Sequence, residues 1–296
     1  MQYFELSNDQ LRIRVCTRGA ELQSVYSKPL EMEFIWQPGF ETFEHHTMLL
    51  FPNPGRIAGD RIIVGGKVHP ATMHGFANDK EFRPVEVNDR RILLELAADA
   101  DTRRYYPYEF RLQVEFRLEG DKVLQHFHVI NDDGKDVYYC LGAHPGFYCP
   151  IVLGETADDY QLRFDRPQNL NRMELEENTR LLTGRKTAWL AEETDIKLHA
   201  HFFEEGPLLF DGMDAGTITL ESSRSGCFME LGVEGFESLC LWGNPTRMSV
   251  ICIEPWCGTS DRMDTDHVWE HKPGIRRVRV GGTEHHLLTF RPGRRK

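Results

Sequence analysis

Hydrophobic and polar positions alternate with a period of two along most of the chain. In LRIRVCTRG, Leu11, Ile13 and Val15 alternate with Arg12 and Arg14, the pattern of a strand with one face buried. FRLQVEFRLEGDKVLQHFHVIND gives two such runs joined by GDK, which predicts a hairpin. RIIVGGKVH predicts a second, because Gly65 and Gly66 supply the positive φ values that a tight turn demands. GTITLESS, CFMELGV, SLCLWG, MSVICIEP and HHLLTFRP extend the series. No segment of about 12 residues keeps a 3.6-residue apolar stripe. Roughly fifteen to twenty short strands with Gly, Pro and Asp turns predict an all-β fold, a large antiparallel β-sandwich. The polar interval from about residue 153 to 205, carrying ELEENTR and AEETD, reads as long loops with a short helical turn. No low-complexity linker or repeat divides the chain, so one domain over residues 1–296 is expected.

Composition narrows the partners. Hydrophobic residues make up 40% of the chain and charged residues 27%, enough apolar material for a substantial core. The formal net charge of −11 argues against nucleic acid, whose backbone is held by clustered Lys and Arg. No run approaches about 18 apolar residues, so no membrane span is expected. The opening MQYFELSNDQLRIRV has no basic leader and apolar core of a signal peptide, which predicts a cytoplasmic protein. Seven cysteines, an odd number without a CxxC pair, fit reduced and buried thiols.

Three stretches carry candidate chemistry. In FPNPGRIAGDRIIVGGKVHPATMHGFA, prolines and glycines bend the backbone around Arg56, whose planar donors suit hydroxyls or carboxylates. His74 follows eighteen residues later. The spacing lacks the Lys-Ser/Thr of a phosphate loop. In CLGAHPGFYCP, His144 ends the strand-like run VYYCLGA among small residues that leave room beside an imidazole. In ICIEPWCGTSD, Glu254 ends an apolar run, Pro255-Trp256 is expected to break the pairing, and desolvation would raise the carboxyl pKa. Trp256 and Trp242 offer flat faces on which a sugar ring can stack. Each residue alone also fits a structural role. Together they make an acid–base cleft, if the fold brings them together.

The order FP-x-PGR, HGF, YP-x-x-F, GAHPGF and IEPW-x-G-x-x-D resembles the aldose 1-epimerase (galactose mutarotase-like) family, closest to a shorter branch whose sugars are often unassigned. The likeness runs from GAELQSVY to LLTFRPG. It implies a β-sandwich of the supersandwich type and a mutarotase that interconverts the α and β anomers of a free sugar without metal or other cofactor. By the same resemblance His144 protonates the ring oxygen, Glu254 takes the proton of the anomeric hydroxyl, His74 assists the acid, and Arg56 and His74 bind the sugar. The family's sugar-binding aspartate has no clear counterpart; Glu205, Asp211 and Asp214 are candidates. The implied partner is a small sugar, with the protein a monomer or weak dimer. Two other functions compete. A hexose-6-phosphate 1-epimerase would need basic residues for a phosphate, such as Arg61 or Arg247. A non-catalytic carbohydrate-binding protein would have no need of both His144 and Glu254. A metal enzyme is suggested only by His45-His46, by His126 and His128 on one strand face, and by His285-His286, without a recognisable third ligand.

Overall fold

A computed structural model describes residues 1–39, 43–246 and 248–295, so Arg247 lies outside the described residues. Among these are twenty-four strands, one four-residue α-helix and four short 3-10 turns. The architecture is all-β, as the alternation predicts. A nine-stranded antiparallel sheet packs against a seven-stranded one, with a four-stranded sheet and two ribbons alongside.

Both predicted hairpins form. Phe110–Glu119 pairs with Lys122–Asn131 around Gly120 and Asp121. Arg61–Val64 pairs with Lys67–Pro70, and Gly65 and Gly66 take φ values of 55° and 76°. The polar interval departs from expectation. It holds one short 3-10 turn but also the strands Tyr160–Gln168, Asn171–Leu175, Leu182–Ala188 and Glu193–Lys197. Leu182–Ala188 is an edge strand with its last five residues exposed, so it has no buried face to impose alternation.

The seven-stranded sheet carries the chemistry. Its strands are β1 (Thr47–Leu50), β2 (Leu141–Tyr148), β3 (Asn171–Leu175), β4 (Leu182–Ala188), β5 (Leu208–Asp211), β6 (Ser238–Gly243) and β7 (Val250–Cys257). Their order across the sheet is β4-β3-β5-β6-β7-β2-β1. Leu49, Leu141, Phe147, Leu239, Leu241, Ile251 and Ile253 face inward, into one buried cluster reaching from Leu6 to Phe290. On the other face Met48, Leu50, Met173, Leu209, Cys240 and Trp256 form a small apolar floor. All eight residues of β7 are buried, because both faces of this central strand are covered. The seven cysteines are free and buried.

Candidate active site

A cleft of about 500 Å3 opens over that apolar floor, lined by His144, Glu254, His74 and Arg56 among others. Strand register brings the first two together. Gly142 pairs with Trp256 and Gly146 with Cys252, which sets His144 of β2 opposite Glu254 of β7. Both residues therefore sit in mid-strand, not at strand ends as the sequence suggests. Pro255 and Trp256 do not break the pairing with β6, since Pro255 faces Leu239 and Trp256 faces Ser238. Pro145 and Pro255 each lack a ladder donor, and the β2–β7 pairing lapses only between Gly142 and Gly146.

The Nε2 atom of His144 lies 3.2 Å from Oε1 of Glu254. Glu254 is 1% exposed and His144 7%. Burial pushes the Glu254 carboxyl well above its ordinary pKa, against smaller opposing contacts from the Cys240 thiol and the Trp256 indole. Burial, then repulsion from His74, holds the His144 imidazole well below its ordinary value. The two directions describe one net-neutral pair in which a single proton is shared between carboxyl and imidazole. His144 Nδ1, Glu254 Oε2, the Trp256 indole nitrogen and Asn78 Oδ1 are buried without hydrogen-bond partners, and all four residues line this cleft. These four atoms keep hydrogen-bonding capacity that a polar ligand in the cleft can use.

The glycines beside His144 have a different use from the one the sequence suggests. A Cβ on Gly142 would meet Trp256 at 2.7 Å, and one on Gly146 would meet Phe43 at 2.9 Å. The room is taken by these two aromatic rings rather than left open. Phe43 stacks on the imidazole of His144 with ring centroids 4.8 Å apart and planes 13° from parallel. The imidazole is thereby held by packing against Phe43, a contact that no motif announces.

His74 reaches the cleft from a loop that the chain must bend sharply to form. Its own φ is 65° and that of Gly75 is 72°. A Cβ on Gly75 would lie 2.1 Å from the Phe51 carbonyl, so only glycine fits. The Gly55 N–H donates to His74 Nδ1 at 3.1 Å, while the His74 N–H donates to the Gly55 carbonyl at 3.0 Å. With Nδ1 accepting, the neutral ring carries its proton on Nε2 and is a donor there. Burial, helped by the nearby Arg56 charge, lowers the His74 pKa to about 4, so it stays a neutral donor near pH 7.

Arg56 is exposed at the rim, and its backbone is clamped by the segment that follows Glu254. Its N–H donates to the Ser260 hydroxyl at 3.1 Å, and its carbonyl accepts from the Asp261 N–H at 2.8 Å. Asp261 also accepts from the Ala58 N–H at 3.0 Å and forms a buried ion pair with Lys272. The Gly-Thr-Ser-Asp segment after Trp256 is thus the buttress of the Arg56 loop. Trp256 is buried in the floor, while Trp242 is half-buried in the wall.

Other sequence candidates fall elsewhere. Glu205 pairs with Arg172 at 2.9 Å and lines a neighbouring cavity. Asp211 pairs with Lys186 beside a third cavity. Asp214 does not line the main cleft. Arg61 contacts His267 at 3.3 Å, away from the cleft. His45 lines the cleft, but its Nδ1 lies 3.6 Å from Glu21, which raises its pKa. His126 and His128 stack with centroids 6.1 Å apart, and His128 meets His285 at 2.7 Å. Among the described residues no group of three or more His, Cys, Asp or Glu is arranged to hold a metal ion.

Comparison with known proteins bears on the family and the fold. The family model described as aldose 1-epimerase matches residues 2–228. The plasmid-encoded protein LacX of Lactococcus lactis subsp. lactis is 29% identical over 281 residues, covering 93% of this chain and 94% of that protein. A galactose mutarotase related enzyme from Lactobacillus acidophilus superposes with a TM-score of 0.92 at 25% identity, covering 99% of this chain and 97% of the other. A galactose mutarotase-like protein from Lactobacillus casei ATCC 334 gives a TM-score of 0.91 at 25% identity, covering 99% and 100%.

Proposed function

The chain belongs to the aldose 1-epimerase family, and on that footing we propose that it is a mutarotase, opening and closing the ring of an aldose by acid–base catalysis. The observation that carries the proposal is the buried His144–Glu254 pair, 3.2 Å apart at the bottom of a cleft. Ring opening requires a proton delivered to the ring oxygen while another leaves the anomeric hydroxyl. Both oxygens are bonded to the same carbon, so one hydrogen-bonding pair of side chains reaches both. The shared proton passes from the Glu254 carboxyl to the His144 imidazole. His144 then gives it to the ring oxygen as Glu254, now a carboxylate, takes the hydroxyl proton, and the pair returns to neutral imidazole and carboxylic acid. Its net charge is zero before and after, which suits a site too poorly hydrated to tolerate a change in charge. The open-chain aldehyde then turns about its C1–C2 bond. The same two groups, with roles exchanged, close the ring on the other face.

His74 donates from Nε2 to the ring side of the sugar and steadies the developing charge. Arg56, fixed by Ser260 and Asp261, offers its paired donors to hydroxyls at the rim. The apolar floor of Met48, Leu209 and Trp256 receives a sugar's C–H face. Proton transfers of this kind are typically worth about 10²–10⁴ in rate each. The test is exchange between anomeric proton signals of aldoses at equilibrium, followed by NMR saturation transfer with and without the protein. Exchange above the buffer rate supports the proposal, whereas sugar binding without acceleration would leave only a carbohydrate-binding protein.

A further inference from the structure

The distal end of the cleft is closed by a residue the sequence does not single out. Arg180 lines both the main cavity and a neighbouring one of about 390 Å3. It sits in the tight turn between β3 and β4, three strand positions from Glu254 across β6, β5 and β3. At about 4.8 Å per interstrand step this sets β3 roughly 14 Å from β7, and the turn carries Arg180 further along the cleft. The turn is tightly constructed. The Glu176 carboxylate accepts from the N–H of Asn178 at 3.1 Å, and from the N–H and hydroxyl of Thr179, each at 2.7 Å. The Arg180 N–H donates to the Glu176 carbonyl at 2.9 Å, and Arg180 takes a φ of 59°. Its guanidinium lies against Gly206, where a Cβ would stand 3.2 Å from Nη1.

A guanidinium placed with this much structure has no carboxylate of its own. Among the described residues Arg180 makes no ion pair or side-chain hydrogen bond, in a chain that carries an excess of acid. The carboxylates around it are engaged elsewhere: Glu176 within the turn, Glu174 with Arg185 and Glu205 with Arg172. Glu177 is exposed on the outside of the turn. Glu44 also lines the main cleft, but beside Phe43 and so at the His144 end. The cleft residues on or beside the strands nearest Arg180, namely Leu175, Pro207 and Leu209, are apolar.

We infer that Arg180 binds the end of the substrate remote from the anomeric carbon, and that this end bears an anionic group, either a carboxylate or a phosphate. The inference rests on the mutarotase reading, which fixes where the anomeric carbon lies. A carboxylate at this position would accept from neutral hydroxyls and repel an anion. A guanidinium only donates, and its fork matches the paired oxygens of an oxyanion.

Saturation-transfer rates on a neutral aldohexose, its uronic acid and its 6-phosphate test this in the full-length protein, with R180Q and R180K beside the wild type. A charge-assisted contact of this kind is worth about 10–100-fold. The wild type should therefore favour one anionic sugar over the neutral one by that factor in kcat/KM, and the preferred member identifies the anion. In R180Q the ratio should fall towards one, with R180K retaining part of it and both variants melting as the wild type does. A wild type that turns over neutral aldoses with no preference for either anion, or an R180Q variant that keeps the preference, overturns the inference alone. Silence towards every aldose overturns the mutarotase reading and the inference with it.

Discussion

Replacing Glu254 by glutamine should slow the enzyme and at the same time remove a pH-dependent weakness in its fold. The substitution keeps the side-chain shape but leaves no base to take the anomeric proton, a loss expected at about 10²–10⁴ in kcat. The effect on stability follows from burial. Glu254 is 1% exposed and one of its oxygens has no partner, so the native state holds the carboxyl in its protonated form. Above the ordinary carboxylate range, at about pH 4.3, the unfolded chain has lost that proton while the native chain keeps it. Stability contributed by this group therefore falls as pH rises, by at most about 1.4 kcal/mol per pH unit, until the native carboxyl itself ionises. Glutamine does not titrate, and His144 is common to both proteins. Urea unfolding at a series of pH values should show the variant gaining on the wild type from about pH 5 upward. A stability difference that stays flat or shrinks with pH would refute the buried-acid argument, and undiminished anomer exchange in E254Q would refute its role as base.

Four further outcomes follow from the same contacts. His144→Asn should lower the exchange rate by about 10²–10⁴ with an unchanged circular dichroism spectrum; a small rate loss would remove His144 from the chemistry. His286 is buried between the Tyr139 hydroxyl at 2.8 Å and the Gly235 carbonyl at 2.9 Å, and burial lowers its pKa to about 4. Its unfolded counterpart binds a proton first, so its contribution to stability should drop by roughly 3 kcal/mol as pH falls from about 6.5 to 4, and His286→Gln should remove that share of the slope while His74 and His144, whose values are also lowered, keep theirs. Asp261→Asn leaves the buried Lys272 ammonium unpaired, at a cost of about 3–5 kcal/mol in urea unfolding, and should raise KM because the Arg56 loop loses its buttress. Gly75→Ala forces a Cβ to within 2.1 Å of the Phe51 carbonyl at a φ of 72°, so it should lower both thermal stability and activity, while Gly65→Ala in an open turn should spare activity.

Much of the fold was legible because most strands have one wet face. The hairpins around Gly65-Gly66 and Gly120 follow directly from alternation and turn chemistry. Leu182–Ala188 escaped because an edge strand with five exposed residues in succession looks like a loop. The histidine and glutamate were legible as chemistry but not as geometry. Their glycine and proline neighbours imitate chain ends, whereas β2 and β7 run on through them, because both faces are buried and the proline positions need no ladder donor. The glycines around His144 read as space for a substrate and turn out to house Phe43 and Trp256. Neither Phe43 nor Asp261 carries a local signal for its contact, since each meets its partner only through tertiary packing. Arg180 is the extreme case: ELEENTR has the composition of any polar turn, and only sheet order places its arginine at the end of the cleft.

The most direct test of the central claim is the exchange rate between anomers of an aldose panel, neutral and anionic, with catalytic amounts of wild-type protein against buffer alone. The account predicts acceleration for at least one sugar, with a rate that rises in proportion to protein concentration. Exchange at the buffer rate for every sugar, in a protein shown to bind one of them, would contradict it.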